Sequence, residues 1–150
     1  MPRLLVLAAL LAPTVLFAHG FHKGDMSVRH PWTRATPPGA SVAAGYLEIR
    51  NGAGEPDRLV GAATALAERV ELHVLVREGS VVKMREVKSL DIPGGERLLL
   101  APRGSHLMLV NIKRPFAAGE RIPLTLRFEK SGALEVELEV QPLGSTKPHH

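Results

Sequence analysis

The end of the chain constrains its fold most. Over residues 121–129, Leu124, Leu126 and Phe128 alternate with Thr125, Arg127 and Glu129, and over 133–140, Leu134, Val136, Leu138 and Val140 alternate with Glu135, Glu137 and Glu139. A strict period of two sends one set of side chains to a core and the other to water, which marks half-buried strands rather than a helix. Lys130-Ser131-Gly132 reads as the hairpin joining them, with Arg127 expected across from a glutamate. Further strands are expected over 41–50, 70–77, 81–87, 97–100 and 105–112, divided by turn residues such as Asn51-Gly52 and Glu78-Gly79-Ser80. Residues 90–95 read as a connection, and only 62–68 has helical character. Many short strands with glycine and proline turns indicate a single all-β sandwich or barrel.

The beginning of the chain reads differently. Arg3 precedes an apolar stretch over 4–17, broken only by Pro13 and Thr14 and followed by Ala18, as in a secretory signal peptide. Cleavage after Ala18 sets Leu16 where a small residue is preferred and leaves a chain of 132 residues, long enough for one domain. The expected organisation is a signal peptide over 1–18, a flexible segment over 19–29, a β-domain over 30–142 and a flexible tail over 143–150. An exported, periplasmic location follows, with a membrane tether if the signal stays attached and no stable membrane span after cleavage. The chain contains no cysteine, so stability must come from the core. Its nineteen basic residues are scattered, its net charge is +4 and aromatics make up 4%. No nucleic-acid module is indicated.

Four residues carry chemistry. His73, Met84, His106 and Met108 are separated by ten, twenty-one and one residues, and two of the three methionines beyond Met1 fall among them. Imidazole is a borderline donor and thioether a soft, neutral one, so the set suits copper(I) and neutralises zinc, calcium or magnesium poorly. A blue-copper electron carrier is excluded, because that site needs a cysteine thiolate. If Arg77 and Ser80 close a turn around Glu78-Gly79, paired positions sum to 157 and His73 lies directly across from Met84. His73 then shares the more exposed strand face with Glu71, Leu75 and Arg77, opposite Val70, Leu72, Val74 and Val76. His106 and Met108, two apart, also share a face. Singly, each methionine reads as a core filler and each histidine as a surface or hydrogen-bonded residue; the joint pattern favours a metal site.

The same residues carry a family resemblance. The four-residue pattern stands with Pro31-Trp32-Thr33-Arg34-Ala35-Thr36-Pro37-Pro38, Gly45-Tyr46-Leu47-Glu48-Ile49-Arg50-Asn51, Asp57-Arg58-Leu59, Lys83-Met84-Arg85 and Gly104-Ser105-His106-Leu107-Met108-Leu109. Together with Leu124-Thr125-Leu126-Arg127-Phe128, these motifs resemble the periplasmic copper A chaperone family, PCuAC, over residues 30–140. The resemblance implies a cupredoxin-like Greek-key β-sandwich or barrel that binds one copper(I) and no catalytic role. It also implies delivery to an apo copper protein, typically the copper-binding domain of cytochrome c oxidase, or exchange with another copper chaperone.

Other readings compete. A storage, buffering or resistance protein would use the same ligands without a handover. An oxidative copper enzyme could use His19, whose free α-amine after cleavage would chelate copper(II) beside its imidazole, but needs a second ordered histidine such as His22. An adhesion or assembly module would need no metal. His149 and His150 could form a weak metal-capturing tail. Trp32, Arg34 and Tyr46 read as a core aromatic, an ion-paired or surface arginine and a strand aromatic.

Overall fold

The computed structural model describes residues 20–148, and within them the chain is all β. Eleven strands follow one another: β1 (Gly20–Lys23), β2 (Met26–Arg34), β3 (Val42–Asn51), β4 (Asp57–Ala63), β5 (Ala67–Glu78), β6 (Val81–Val87), β7 (Leu90–Ile92), β8 (Arg97–Leu100), β9 (His106–Ile112), β10 (Arg121–Phe128) and β11 (Gly132–Gln141). They hydrogen-bond in the order β6-β5-β9-β3-β2-β11-β10-β4-β7, with β1 on β2 and β8 on β3. Two long strands change partners part-way. The first half of β3 (Val42 to Gly45) pairs with β9 and its second half (Leu47 to Arg50) with β8. β2 pairs with β1 over its first half and runs parallel to β11 over Trp32 to Arg34. Between the halves of β2 the register slips, His30 takes φ +48 and Pro31 has no N–H to donate.

The alternation at the chain end is realised. Ile122, Leu124, Leu126, Phe128, Leu134, Val136, Leu138 and Val140 are all buried, while Glu135 and Glu137 face outward. The hairpin differs in register. Its loop is residues 129–131, Gly132 supplies φ +78, and Arg127 lies opposite Ala133 rather than a glutamate. Arg121 reaches Glu137 instead, at 3.7 Å. Asp57, at the start of β4, pins this loop. Its Oδ1 accepts the backbone N–H groups of Arg58 (2.8 Å) and Lys130 (2.9 Å), and its Oδ2 accepts the Ser131 N–H (3.0 Å) and hydroxyl (2.6 Å). Burial pushes this carboxyl up, but the Ser131 hydroxyl and the three backbone donors outweigh it and hold the pKa below the ordinary aspartate value.

Three expected segments are corrected. Residues 62–68 are not helical: Ala62 and Ala63 end β4 against Leu126 and Thr125, and Ala67 begins β5. So short a helix would lack the turns needed to sustain itself, and sheet pairing wins. Residues 90–92 of the expected connection form β7, burying Leu90 and Ile92 against β4. From Gly20 onward the segment 19–29 forms a hairpin rather than a flexible lead, with β1 and the start of β2 joined at Gly24-Asp25, and Met26 and Val28 enter the core. The signal peptide over 1–18, its cleavage after Ala18, His19, His149 and His150 lie outside the described residues. Among the described residues no helix is long and apolar enough to cross a membrane.

The loop between β7 and β8 crosses the one before β4 closely. A Cβ added at Gly94 would stand 2.5 Å from the Gly54 carbonyl oxygen, a backbone atom that cannot swing aside. Gly94→Ala is expected to cost about 1–3 kcal/mol, read as a lower urea midpoint with unchanged slope.

Candidate metal centre

β5 and β9 pair antiparallel with His73 directly opposite His106. The two imidazoles share one face of the sheet with ring centroids 5.4 Å apart and planes inclined at 59°. His106 is buried, and the His73 side chain is 15% exposed, so the pair lies deeper than a surface site. One nitrogen of each ring has a partner: His106 Nδ1 meets the Gly104 carbonyl at 3.0 Å and His73 Nε2 meets Glu71 Oε2 at 2.8 Å. The other nitrogens, His73 Nδ1 and His106 Nε2, are the buried side-chain polar atoms without a hydrogen-bond partner among the described residues. Leaving two such buried atoms without a partner costs free energy. In neutral rings both carry lone pairs, and such lone pairs fit a metal ion.

Glu71 had drawn no expectation beyond its place on the same strand face. Its Oε1 accepts Arg69 Nε at 2.8 Å while Oε2 takes the His73 ring N–H. The His73 hydrogen bond, then that of Arg69, holds the carboxyl below its ordinary pKa. The Glu-x-His spacing was the available clue, because residues two apart on a strand face the same way.

The methionines flank this pair unequally. Met108 lies opposite Glu71 on one side and Ala44 on the other, and is half-buried. Met84 lies opposite Leu75, not His73, whose partner on β6 is Glu86. The turn explains the difference: its two loop residues are Gly79 and Ser80, with φ +62 at Gly79 alone, as a type II′ turn requires. The expected register is off by two residues. An even shift keeps the face, so Met84 stays on the His73 side as a diagonal neighbour, within reach of a long side chain. It is 59% exposed.

Trp32, Tyr46 and Arg34 wall the other side of His106. The Tyr46 ring stands edge-on to His106 at 6.4 Å and packs against Trp32 at 4.7 Å with the planes tilted by 43°. Arg34 lies over both rings, at 5.6 Å from Trp32 and 5.4 Å from Tyr46, and donates to the Tyr46 hydroxyl (3.1 Å) and the Ser145 carbonyl (2.6 Å). Both rings are buried, so this group packs and steadies the site. His22, in contrast, is exposed opposite Ser27 on β1. Among the described residues no three His, Cys, Asp or Glu side chains gather to hold a metal. Met84 and Met108 bring two thioethers to the face that carries the imidazoles, beside the carboxylates of Glu71 and Glu86.

The family model "Putative lipoprotein LpqE-like" matches residues 26–140. "Putative lipoprotein Lxx21020" of Leifsonia xyli subsp. xyli (strain CTCB07) is 32% identical over 132 residues, spanning 87% of this chain and 78% of its own. The copper-bound PCuAC domain from PmoF2 superposes with a TM-score of 0.73 at 30% identity, over 83% of this chain and 99% of that domain. The solution structure of CuI-DR1885 from Deinococcus radiodurans gives 0.62 at 34% identity, over 74% of each chain.

Proposed function

The chain belongs to the LpqE-like family and is a PCuAC-type, cupredoxin-like domain, and from that premise we propose that it is an exported copper(I) carrier. It holds one ion with His73, His106, Met84 and Met108 and passes it by ligand exchange to the copper site of another protein. The facing imidazoles with two unpartnered buried nitrogens carry this reading. A ligand set without charge binds a monovalent soft ion and can lose one thioether to an incoming ligand without separating charge. The more exposed Met84 is the one to leave first, since an approaching protein meets it before Met108. The recipient we favour is the copper-binding domain of cytochrome c oxidase, whose thiolates would form the stronger site. The role is delivery, without catalysis, in the periplasm.

Titration of the protein with copper(I), followed by X-ray absorption, tests the site: the expected result is one ion with two nitrogen and two sulfur neighbours. Met84→Leu and Met108→Leu should each remove one sulfur neighbour and weaken binding. Met84→Leu should leave stability within about 0.5 kcal/mol, as for other exposed substitutions. Full affinity in the double variant would remove the methionines from the site. Mixing loaded protein with apo recipient and a competing chelator tests the handover. Transfer no faster than release to the chelator would favour storage instead.

A further inference from the structure

The two histidines face each other across an antiparallel pair, yet they leave different nitrogens free: Nδ1 in His73 and Nε2 in His106. The cause is local in both cases and lies two residues back along the chain, on β5 for His73 and in the loop before β9 for His106. Behind His106, the Gly104 carbonyl reaches the ring nitrogen nearer the backbone, Nδ1. Behind His73, the longer Glu71 side chain reaches the far nitrogen, Nε2. A carbonyl or carboxylate oxygen only accepts, so the nitrogen it touches carries the hydrogen and the opposite one keeps its lone pair. Glu71 is itself held from behind by Arg69, which shares its strand face. The chain 69-71-73 is a relay of fixed positions ending at one ring.

We propose that Glu71 is a positioning residue which, braced by Arg69, locks His73 as the Nε2–H tautomer, so that copper(I) is taken through His73 Nδ1 and His106 Nε2. The inference rests on the carrier reading for its ligand, but the tautomers are set before any metal arrives. Because both rings are already turned and protonated as the bound state needs, capture requires little reorganisation of them.

The test has a metal-free arm and a metal arm. Long-range proton–nitrogen correlation spectra of the apo protein at mildly alkaline pH are expected to show Nε2–H at His73 and Nδ1–H at His106. The latter form is the less populated one for free histidine in water, so its appearance is diagnostic. The same tautomer at both residues overturns the proposal. In the metal arm, Glu71→Ala should weaken copper(I) binding by about 10–100-fold, with Glu71→Gln recovering most of the loss because its amide oxygen still accepts the ring N–H. In a His73→Ala background, Glu71→Ala should cost nothing further; an equal loss in both backgrounds would mean that Glu71 acts on the fold at large, and would overturn the role. Failure of the wild type to bind copper(I) would sink the carrier reading alone, since the apo spectra judge the tautomers without metal.

Discussion

Replacing His106 by leucine is expected to lower copper(I) affinity by more than about 100-fold, beyond the range seen when only an outer partner of a metal ligand is lost. The fold should survive. His106 is 4% exposed and its Nε2 is already an unsatisfied buried atom, so leucine fills most of the space and removes a desolvated polar group. What it forfeits is the hydrogen bond to the Gly104 carbonyl, in a loop that water can reach. Stability should therefore change by no more than about 1 kcal/mol. Chelator competition for copper(I) and a denaturant titration on the same samples check both halves. An affinity within a few-fold of wild type would show that the imidazole pair does not hold the ion.

Asp57→Ala is expected to remove about 2–4 kcal/mol of stability, a large share of the roughly 5–15 kcal/mol that holds a domain together. One carboxylate satisfies four donors from two segments far apart in sequence. Its removal leaves three backbone N–H groups without an acceptor and loosens the loop between β10 and β11, which then keeps the Glu129 N–H bond to the Arg58 carbonyl as a tie to β4. The pH dependence has a definite sign. The folded-state pKa lies below the unfolded value, so the stabilisation is complete above the unfolded value, near pH 4, and is lost as pH falls through the folded one. Unfolding midpoints measured from neutral pH downward should show this acid-sensitive component in the wild type and not in Asp57→Asn. A variant whose midpoint matches wild type at neutral pH would refute the anchoring role.

Periodicity made much of this legible in advance. The alternation of β10 and β11 announced their buried faces, and β6 and β8 begin and end where composition changes. Strands defined by their partners were harder to see. β7 is three residues long and β1 four, and neither has a period to read; each exists because a longer neighbour offers it hydrogen bonds. At the site, strand parity placed both methionines on the histidine face, whereas the pairing of His73 with Met84 failed because it depended on which two residues form the loop. Gly79 followed by Ser80 is a type II′ sequence, so that register was readable from the turn chemistry. The choice of ring nitrogen was not readable, because it depends on how far each acceptor reaches from the backbone.

Among the described residues β6 hydrogen-bonds only to β5, and every residue from Val81 to Glu86 is exposed. Such an edge is a template for pairing with identical chains, and Val81, Val82 and Met84 make it stickier. Its charges answer that hazard. Lys83 and Arg85 stand on the same strand, tethered to Glu78 at 3.3 and 3.6 Å, and Glu86 follows. A second copy laid antiparallel along this edge would bring cationic side chains against one another, while a visitor of opposite charge would meet no such penalty. The strand bearing the outermost sulfur can thus stay uncovered without seeding filaments.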